Sequence, residues 1–395
     1  MIRVRRPISA IVVSIAGIAA AVAAVAFHVR PKLPLPAGQF HVGTVTWDVG
    51  SADASALASD ADHCQISVQL WYPAEPGTGR GRPPYDWRTR SLLSAERWVA
   101  TDAELDAQLA TFQARDPVLL YFPGWDGKRE SYTAIVQDLA SRGFIVAAIG
   151  YDSADCALPN AVVGSPRATD MDFSSAAAFH WTLQVADTKI TRVALTATGV
   201  LDALADLDRG DSRGRFTGRL DLSHTAAIGH SLGGAIALQI AWLDPRIKAA
   251  IDLDGWLFDA APSGWIRQSF LVISTDGQTS ATDRPPAADP QLRYTSILDD
   301  ETERRLHAAF AKFGGVEVTI DASTHEDFSD APYLSRAAAI FNRRPDGHVI
   351  RIAVDCAVTF FGSIFRGETS PSCETSNPDT RIVVRRRPTP GEPDN

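Results

Sequence analysis

The sequence predicts an α/β architecture, a mostly parallel central sheet with helices on both faces. From residue 117 onward, apolar runs of five to seven residues alternate with amphipathic helical stretches. Strands covered on both faces read as continuous apolar runs, so this alternation calls for a doubly covered parallel sheet. The 45% hydrophobic and 22% charged composition is that of an ordinary globular chain. No internal repeat and no second nucleus of this kind is present, so one large domain is expected over residues 41–367.

"HVGTVTWDV" and "QISVQLWYP" alternate like two early strands, and residues 90–113 have helical spacing without glycine or proline. Then "PVLLYFP", "FIVAAIG", "TAAIGHS", "KAAIDLD", "SFLVIST" and "VEVTID" read as strands. "RESYTAIVQDLASRG", "VALTATGVLDALADLD", "LGGAIALQIAWLD", "DETERRLHAAFAKFG" and "RIAVDCAVTFFGSIFRG" read as helices. The tail, 368–395, is rich in Pro, Ser, Thr and Arg and is expected to be irregular, with Arg385, Arg386 and Arg387 solvated.

The first 29 residues read as an export segment. Arg3, Arg5 and Arg6 precede twenty uncharged residues, 8–27, with small residues at Ala24 and Ala26. The run is also long enough to span a bilayer once, so a cleaved signal and a retained membrane anchor both fit. Either puts the rest of the chain outside the cytoplasm. Residues 30–40 then read as a proline-rich spacer. In an oxidising compartment Cys64, Cys156, Cys356 and Cys373 suit two disulfides in any of three pairings, with free buried thiols as the alternative. Their spacing does not suit a zinc or redox site. The net charge of −9 argues against nucleic acid as a partner.

Ser231 lies in Gly-His-Ser-Leu-Gly-Gly. A Gly-x-Ser-x-Gly pattern arises by chance in about one chain in ten of this length. Here an apolar strand precedes it and an apolar helix follows, which is what a nucleophile elbow needs. Gly229, Gly233 and Gly234 would let the tight turn pack closely, and the helix N-terminus favours developing negative charge. His230 reads as structural.

A serine nucleophile needs a base and an anionic partner for that base. His307 falls mid-helix and His348 at a helix start. His325 follows the strand "VEVTID" in a polar loop, where a parallel sheet presents chemistry, and is the chosen base. Asp252, Asp254 and Asp276 all end strands, and spacing alone does not choose among them.

Several segments together resemble the plasma-type platelet-activating factor acetylhydrolase family of the α/β-hydrolase superfamily. They are "VLLYFPGWDGKRESYTAIVQDLASRGFIVAAIGYDS", "IGHSLGG", "IDLDGWLFD" and "THEDFSD", in that order between about residues 115 and 330. The resemblance implies an α/β-hydrolase fold and a serine-dependent carboxylic ester hydrolase with no cofactor and no metal. It implies Asp254 as the acid, with Asp276 the alternative. It also implies an oxyanion hole from the main-chain N–H groups of Leu232 and Trp125. Where the family commonly has His-Gly, this chain has Pro123-Gly124, which removes an N–H and stiffens the loop. The Trp125 indole is expected to crowd the site and alter substrate choice. The loops 50–62, 76–113 and 152–190 fall outside the match.

The expected substrate is a lipid-like or short-acyl ester. A cutinase-like polyester hydrolase shares the same elbow, and an extracytoplasmic acyltransferase would use the same acyl-enzyme. A non-catalytic binding module is disfavoured by the intact Ser231, His325 and Asp254 set. Residues 90–113 read as an ordinary packed helix, with a lid as the alternative. The nine tryptophans read as packing residues.

Overall fold

The computed structural model describes residues 31–47, 64–85, 99, 101–151, 156, 171–259, 268–276, 289–334, 346–368, 371–375, 378 and 380–385. The segment expected to be a signal or anchor, the loop 50–62, and Arg386 and Arg387 lie outside the described residues.

Among the described residues ten strands form one sheet. They are β1 (His41–Trp47), β2 (Ile66–Ala74), β3 (Ala103–Leu105), β4 (Asp116–Phe122), β5 (Ile145–Tyr151), β6 (Leu220–His230), β7 (Ile247–Leu253), β8 (Ser269–Thr275), β9 (Gly315–Ile320) and β10 (Thr380–Arg385). The order across the sheet is β10-β9-β8-β7-β6-β4-β5-β2-β1-β3. From β5 through β9 every neighbouring pair is parallel, while β2 and β10 join antiparallel at the flanks. The predicted mostly parallel sheet is the one observed.

Both faces are buried. Val118, Leu120 and Phe122 of β4 enter one hydrophobic core, and Leu119 and Tyr121 enter the other. That period of two is why the strand reads as an unbroken apolar run. The first core is closed by helices α2 (Ala176–Arg209), α3 (Leu232–Leu243) and α4 (Pro290–Phe313), the second by α1 (Thr133–Ser141) and α5 (His348–Phe365). α5 is long and apolar enough to cross a membrane, yet its Val349, Ile352, Ala353, Cys356 and Phe360 are packed in the second core.

Helix boundaries moved where polar residues masked the pattern. α2 begins at Ala176, well before the expected Val193, with the Ser175 hydroxyl accepting from the Ala178 N–H. α4 begins at Pro290, capped by the Asp289 carboxylate on the Gln291 N–H.

Three expectations are corrected. The described part of residues 90–113 holds strand β3, parallel to β1, and no helix. Long-range partners override its helical spacing: Glu104 accepts from the Gly77 and Gly79 N–H groups, and Asp106, at φ +57°, takes Arg80 and Arg213. The residues read as a spacer, 31–40 in the described part, lie on the body. Leu33 is buried, and the Ala37 and Gly38 N–H groups donate to the Asp138 carboxylate and Ser141 hydroxyl of α1. The tail is not irregular throughout, since β10 adds to the free edge of β9. Ile382 of this edge strand packs against the second core.

The two disulfides are Cys64–Cys156 and Cys356–Cys373. The first ties the approach to β2 to the segment after β5, and the second ties α5 to the segment leading to β10.

Candidate active site

The parallel strands all end on one rim of the sheet, and the candidate residues are found there. Ser231 follows β6 directly and caps α3, with φ +57° and ψ −126°. A non-glycine residue at positive φ stores strain and is held only by its surroundings. Here the Ser231 N–H donates to the Leu253 carbonyl at 2.9 Å, and the Ser231 carbonyl accepts the Gly234 N–H at 2.9 Å. Two glycines make the turn possible. A Cβ on Gly233 would overlap the Phe122 and Pro123 carbonyl oxygens, and one on Gly234 would overlap the Asp252 carboxylate. The turn therefore lies flush against the ends of β4 and β7.

Asp254 stands one residue beyond β7, also at positive φ, 55°. Its side chain is fully buried, and one carboxylate oxygen accepts His325 Nδ1 at 2.7 Å. The other accepts the Thr275 N–H at 2.8 Å, and the Thr275 hydroxyl lies 3.3 Å from both oxygens. A carboxylate with its lone pairs filled this way has one orientation. His325 itself is 41% exposed, so the ring has a buried, bonded edge and an open edge. It sits on a helical turn, His325–Phe328, whose start is closed by reciprocal bonds between Thr324 and Asp327.

The other two carboxylates have different places. Asp276 accepts the Ala322 and Ser323 N–H groups at 3.0 and 3.3 Å and so holds the loop that delivers His325. Asp252 is wholly buried beneath the elbow, accepting the Gly255 N–H at 2.9 Å. Burial pushes its pKa up to about 8, the Gly255 N–H opposing and the neighbouring Asp254 charge adding. Sequence spacing left these three open, and only Asp254 bonds to His325.

His230 is buried, with its ring centroid 4.4 Å from that of His325. Its Nδ1 lies 3.0 Å from the Tyr132 hydroxyl. Burial first, then the neighbouring His325, holds it well below the usual histidine range. His307 and His348 are where they were expected, in α4 and at the start of α5.

On the other side of Ser231 runs the loop after β4. A Cβ built on Gly124 would lie 3.5 Å from the Ser231 Cβ, so the main chain of this loop borders the serine. The Trp125 indole does not stand free in the site. It packs on Val185 of α2 with Trp181, and the buried Lys189 ammonium lies 3.7 Å over its ring. Leu232 is buried at the first turn of α3. Trp256, two residues after Asp254, donates its indole N–H to Asp299 at 2.7 Å.

Sequence reasoning missed Tyr132, Tyr151, Thr275 and Asp330. Asp330, five residues after His325, accepts the Thr133 and Ala134 N–H groups at the start of α1 and the Tyr85 hydroxyl. It fastens the histidine loop to the helix that follows the Gly124 loop. No short motif signals such long-range partners. Among the described residues no group of three or more His, Cys, Asp or Glu is placed to hold a metal.

A family profile, Platelet-activating factor acetylhydrolase, isoform II, matches residues 27–338. The chain belongs to that family. The platelet-activating factor acetylhydrolase of Cavia porcellus is 28% identical over 254 residues, covering 60% of this chain and 53% of its own. This chain thus spans about half the length of the acetylhydrolases it matches. A bis(hydroxyethyl) terephthalate hydrolase of Streptomyces coelicolor is 32% identical over 120 residues, covering 26% of this chain and 36% of its own. Among solved structures, a ferulic acid esterase from Streptomyces cinnamoneus superposes with a TM-score of 0.60 at 22% identity, over 89% of this chain and 99% of that one. The fold is that of the α/β-hydrolases, as the four motifs implied.

Proposed function

We propose that this protein is a serine-dependent carboxylic ester hydrolase in which Ser231 is the nucleophile, His325 the base and Asp254 the acid. The observation that carries the reading is the 2.7 Å bond between His325 Nδ1 and the buried Asp254 carboxylate, on the rim where the strained Ser231 stands. With Nδ1–H held by Asp254, Nε2 is the basic nitrogen and belongs to the exposed edge of the ring. It takes the Ser231 proton as the hydroxyl attacks the ester carbonyl, and returns it to the leaving alcohol. Asp254 keeps this tautomer and stabilises the imidazolium. Water then attacks the acyl-enzyme by the same route in reverse. The oxyanion is met by the main-chain N–H groups of Leu232 and Trp125, the first at the N-terminus of α3, where the helix dipole favours negative charge.

The substrate is an ester with a lipid-like or short acyl chain. A cavity of about 450 Å³ is lined by apolar residues such as Phe179, Leu257 and Leu298 and in equal number by charged ones such as Asp187, Glu301 and Arg305, and Ser231, Asp254 and His325 are not part of its wall. The partial similarity to a terephthalate ester hydrolase favours a polyester-type substrate as the second reading. The two disulfides fit an oxidising, extracytoplasmic compartment. Membrane association through residues 8–27 belongs to the same proposal.

Hydrolysis of p-nitrophenyl esters from acetyl to palmitoyl, by the full chain and by Ser231→Ala, tests the reading. Turnover that falls with chain length and vanishes in the variant supports a short-acyl hydrolase. A long-chain optimum moves the substrate toward lipids. Equal inactivity of both proteins on every ester overturns the hydrolase reading.

A further inference from the structure

The Trp125 N–H belongs to the peptide unit whose carbonyl is that of Gly124. The described peptide bonds are all trans, and in a planar trans peptide the C=O and N–H point in opposite directions. Whatever holds the Gly124 oxygen therefore aims the Trp125 N–H. Two donors hold it. The Tyr151 hydroxyl, at the end of β5, donates to it in a short bond, and the Gly127 N–H closes a turn on it at 3.0 Å.

The neighbouring peptide groups are fixed as well. The Gly124 N–H donates to the Tyr132 hydroxyl at 3.0 Å, and the Trp125 carbonyl accepts the Lys189 ammonium at 3.3 Å. The Tyr132 hydroxyl also lies 3.0 Å from His230 Nδ1, so this one oxygen joins the loop to the histidine beside the elbow. Tyr151 grips the loop at further points: its N–H donates to the Gly127 carbonyl at 3.1 Å, and Gly127, at φ +70°, has no Cβ to strike the Tyr151 ring.

We propose that Tyr151, assisted by Tyr132, is the positioning residue of the oxyanion loop, its hydroxyl fixing the Gly124–Trp125 peptide plane so that the Trp125 N–H is aimed before substrate arrives. This rests on the hydrolase reading and adds to it the residues that preorganise the backbone donor. The need arises from the sequence. Pro123 has no N–H to tether the loop and Gly124 has no side chain, so the loop must be held from outside. Each hydroxyl bonds to the loop itself, Tyr151 to the Gly124 oxygen and Tyr132 to the Gly124 N–H. Burial raises the pKa of both hydroxyls, so each keeps its proton. Preorganised donors act because they need not turn toward the charge as it forms.

The test uses the full chain with Tyr151→Phe and Tyr132→Phe. It reads kcat and KM on p-nitrophenyl butyrate, the inhibition constant of a trifluoromethyl ketone that forms a tetrahedral oxyanion on serine, and the thermal midpoint. Removing an oxyanion donor outright costs roughly 100- to 1,000-fold in kcat, so misaiming one should cost roughly 10- to 100-fold. For Tyr151→Phe we expect that fall in kcat, KM within about twofold, and a ketone inhibition constant that rises by the same factor as kcat/KM falls. Tyr132→Phe should show the same pattern more weakly, and serves if Tyr151→Phe does not fold. A purely structural role would lower the midpoint and leave the ketone as tight as in the wild type. Wild-type kcat in a folded Tyr151→Phe, or a kcat loss that the ketone does not follow, overturns the proposal. If the wild type is inert, or Ser231→Ala matches it, the hydrolase reading fails first and takes this proposal with it.

Discussion

The two sides of Ser231 are built in opposite ways. On one side, Asp254 and His325 are side chains on strand ends, in direct contact and fixed by their own neighbours. On the other, the Gly124–Trp125 loop offers only main chain, and its shape is set by hydroxyls from β5 and from the turn before α1. The first half carries its chemistry in the residues that name it. The second depends on residues whose part is invisible until the chain is folded, so a change there should misaim a donor without deleting a group.

The largest expected effect breaks the side-chain half. Asp254→Asn keeps the shape but presents an amide to His325 Nδ1, which favours the wrong tautomer. kcat should fall about 10⁴-fold with KM little changed, the size seen when a triad aspartate becomes asparagine elsewhere. Steady-state kinetics on a p-nitrophenyl ester checks it. A loss under about tenfold would mean that another carboxylate orients His325.

The second effect separates the halves through the disulfides. Cys156 lies five residues after Tyr151 and is tied to Cys64 across a separation of 92 residues, whereas Cys356–Cys373 spans 17. On the loop-entropy account the longer closure is worth about 4–5 kcal/mol and the shorter about 3. Replacing Cys64 and Cys156 by serine should lower stability more in denaturant melts. It should also raise the ketone inhibition constant, by freeing the segment after β5. Replacing Cys356 and Cys373 should lower stability and leave the ketone unaffected. Equal ketone binding in both double variants would detach Tyr151 from its disulfide.

The same asymmetry explains what could be read in advance. The sheet from β4 to β9 was legible because buried parallel strands are continuous apolar runs, and the placement of Ser231 and His325 beyond strand ends could be read from the same pattern. Asp254 was not separable from Asp252 and Asp276 by spacing, since all three end strands; the family resemblance chose it. The flanks were misread for a physical reason. Residues 101–113, 31–40 and 380–385 take their conformations from partners far along the chain, such as Asp106 with its arginines, Asp138 with Ala37, and β9 with β10. Tyr132 and Tyr151 escaped notice likewise, being single tyrosines inside ordinary helical and strand patterns.

A third experiment sharpens the contrast within the side-chain half, between the paired Asp254 and the buried Asp252. Asp252 titrates near 8 in the folded protein and near 3.9 when unfolded. The folded state therefore binds the proton more tightly, and stability from this group is full below about pH 4 and lost as pH rises toward 8. Asp252→Asn does not titrate, so its stability relative to the wild type should improve with pH across that window. The gain should be on the order of 2–4 kcal/mol between pH 5 and pH 8. Denaturant melts at the two pH values measure it, and a flat difference would mean that Asp252 is charged in the fold.

The smallest effect concerns Asp276, the alternative acid. Its carboxylate meets two main-chain N–H groups of the loop before His325, one of them on Ala322 at φ +52°. Asp276→Ala would leave those donors to water, which reaches this partly exposed loop, so the stability cost should be about 1 kcal/mol. The loop would hold His325 less firmly, and kcat should fall by about three- to tenfold. What matters is the ratio to Asp254→Asn. A loop anchor and a tautomer-setting acid differ by about three orders of magnitude in kcat, and combining the two changes should add little to the larger. If Asp276→Ala instead matched Asp254→Asn, the acid would have to move to β8, and the 2.7 Å contact of Asp254 with His325 would be structural.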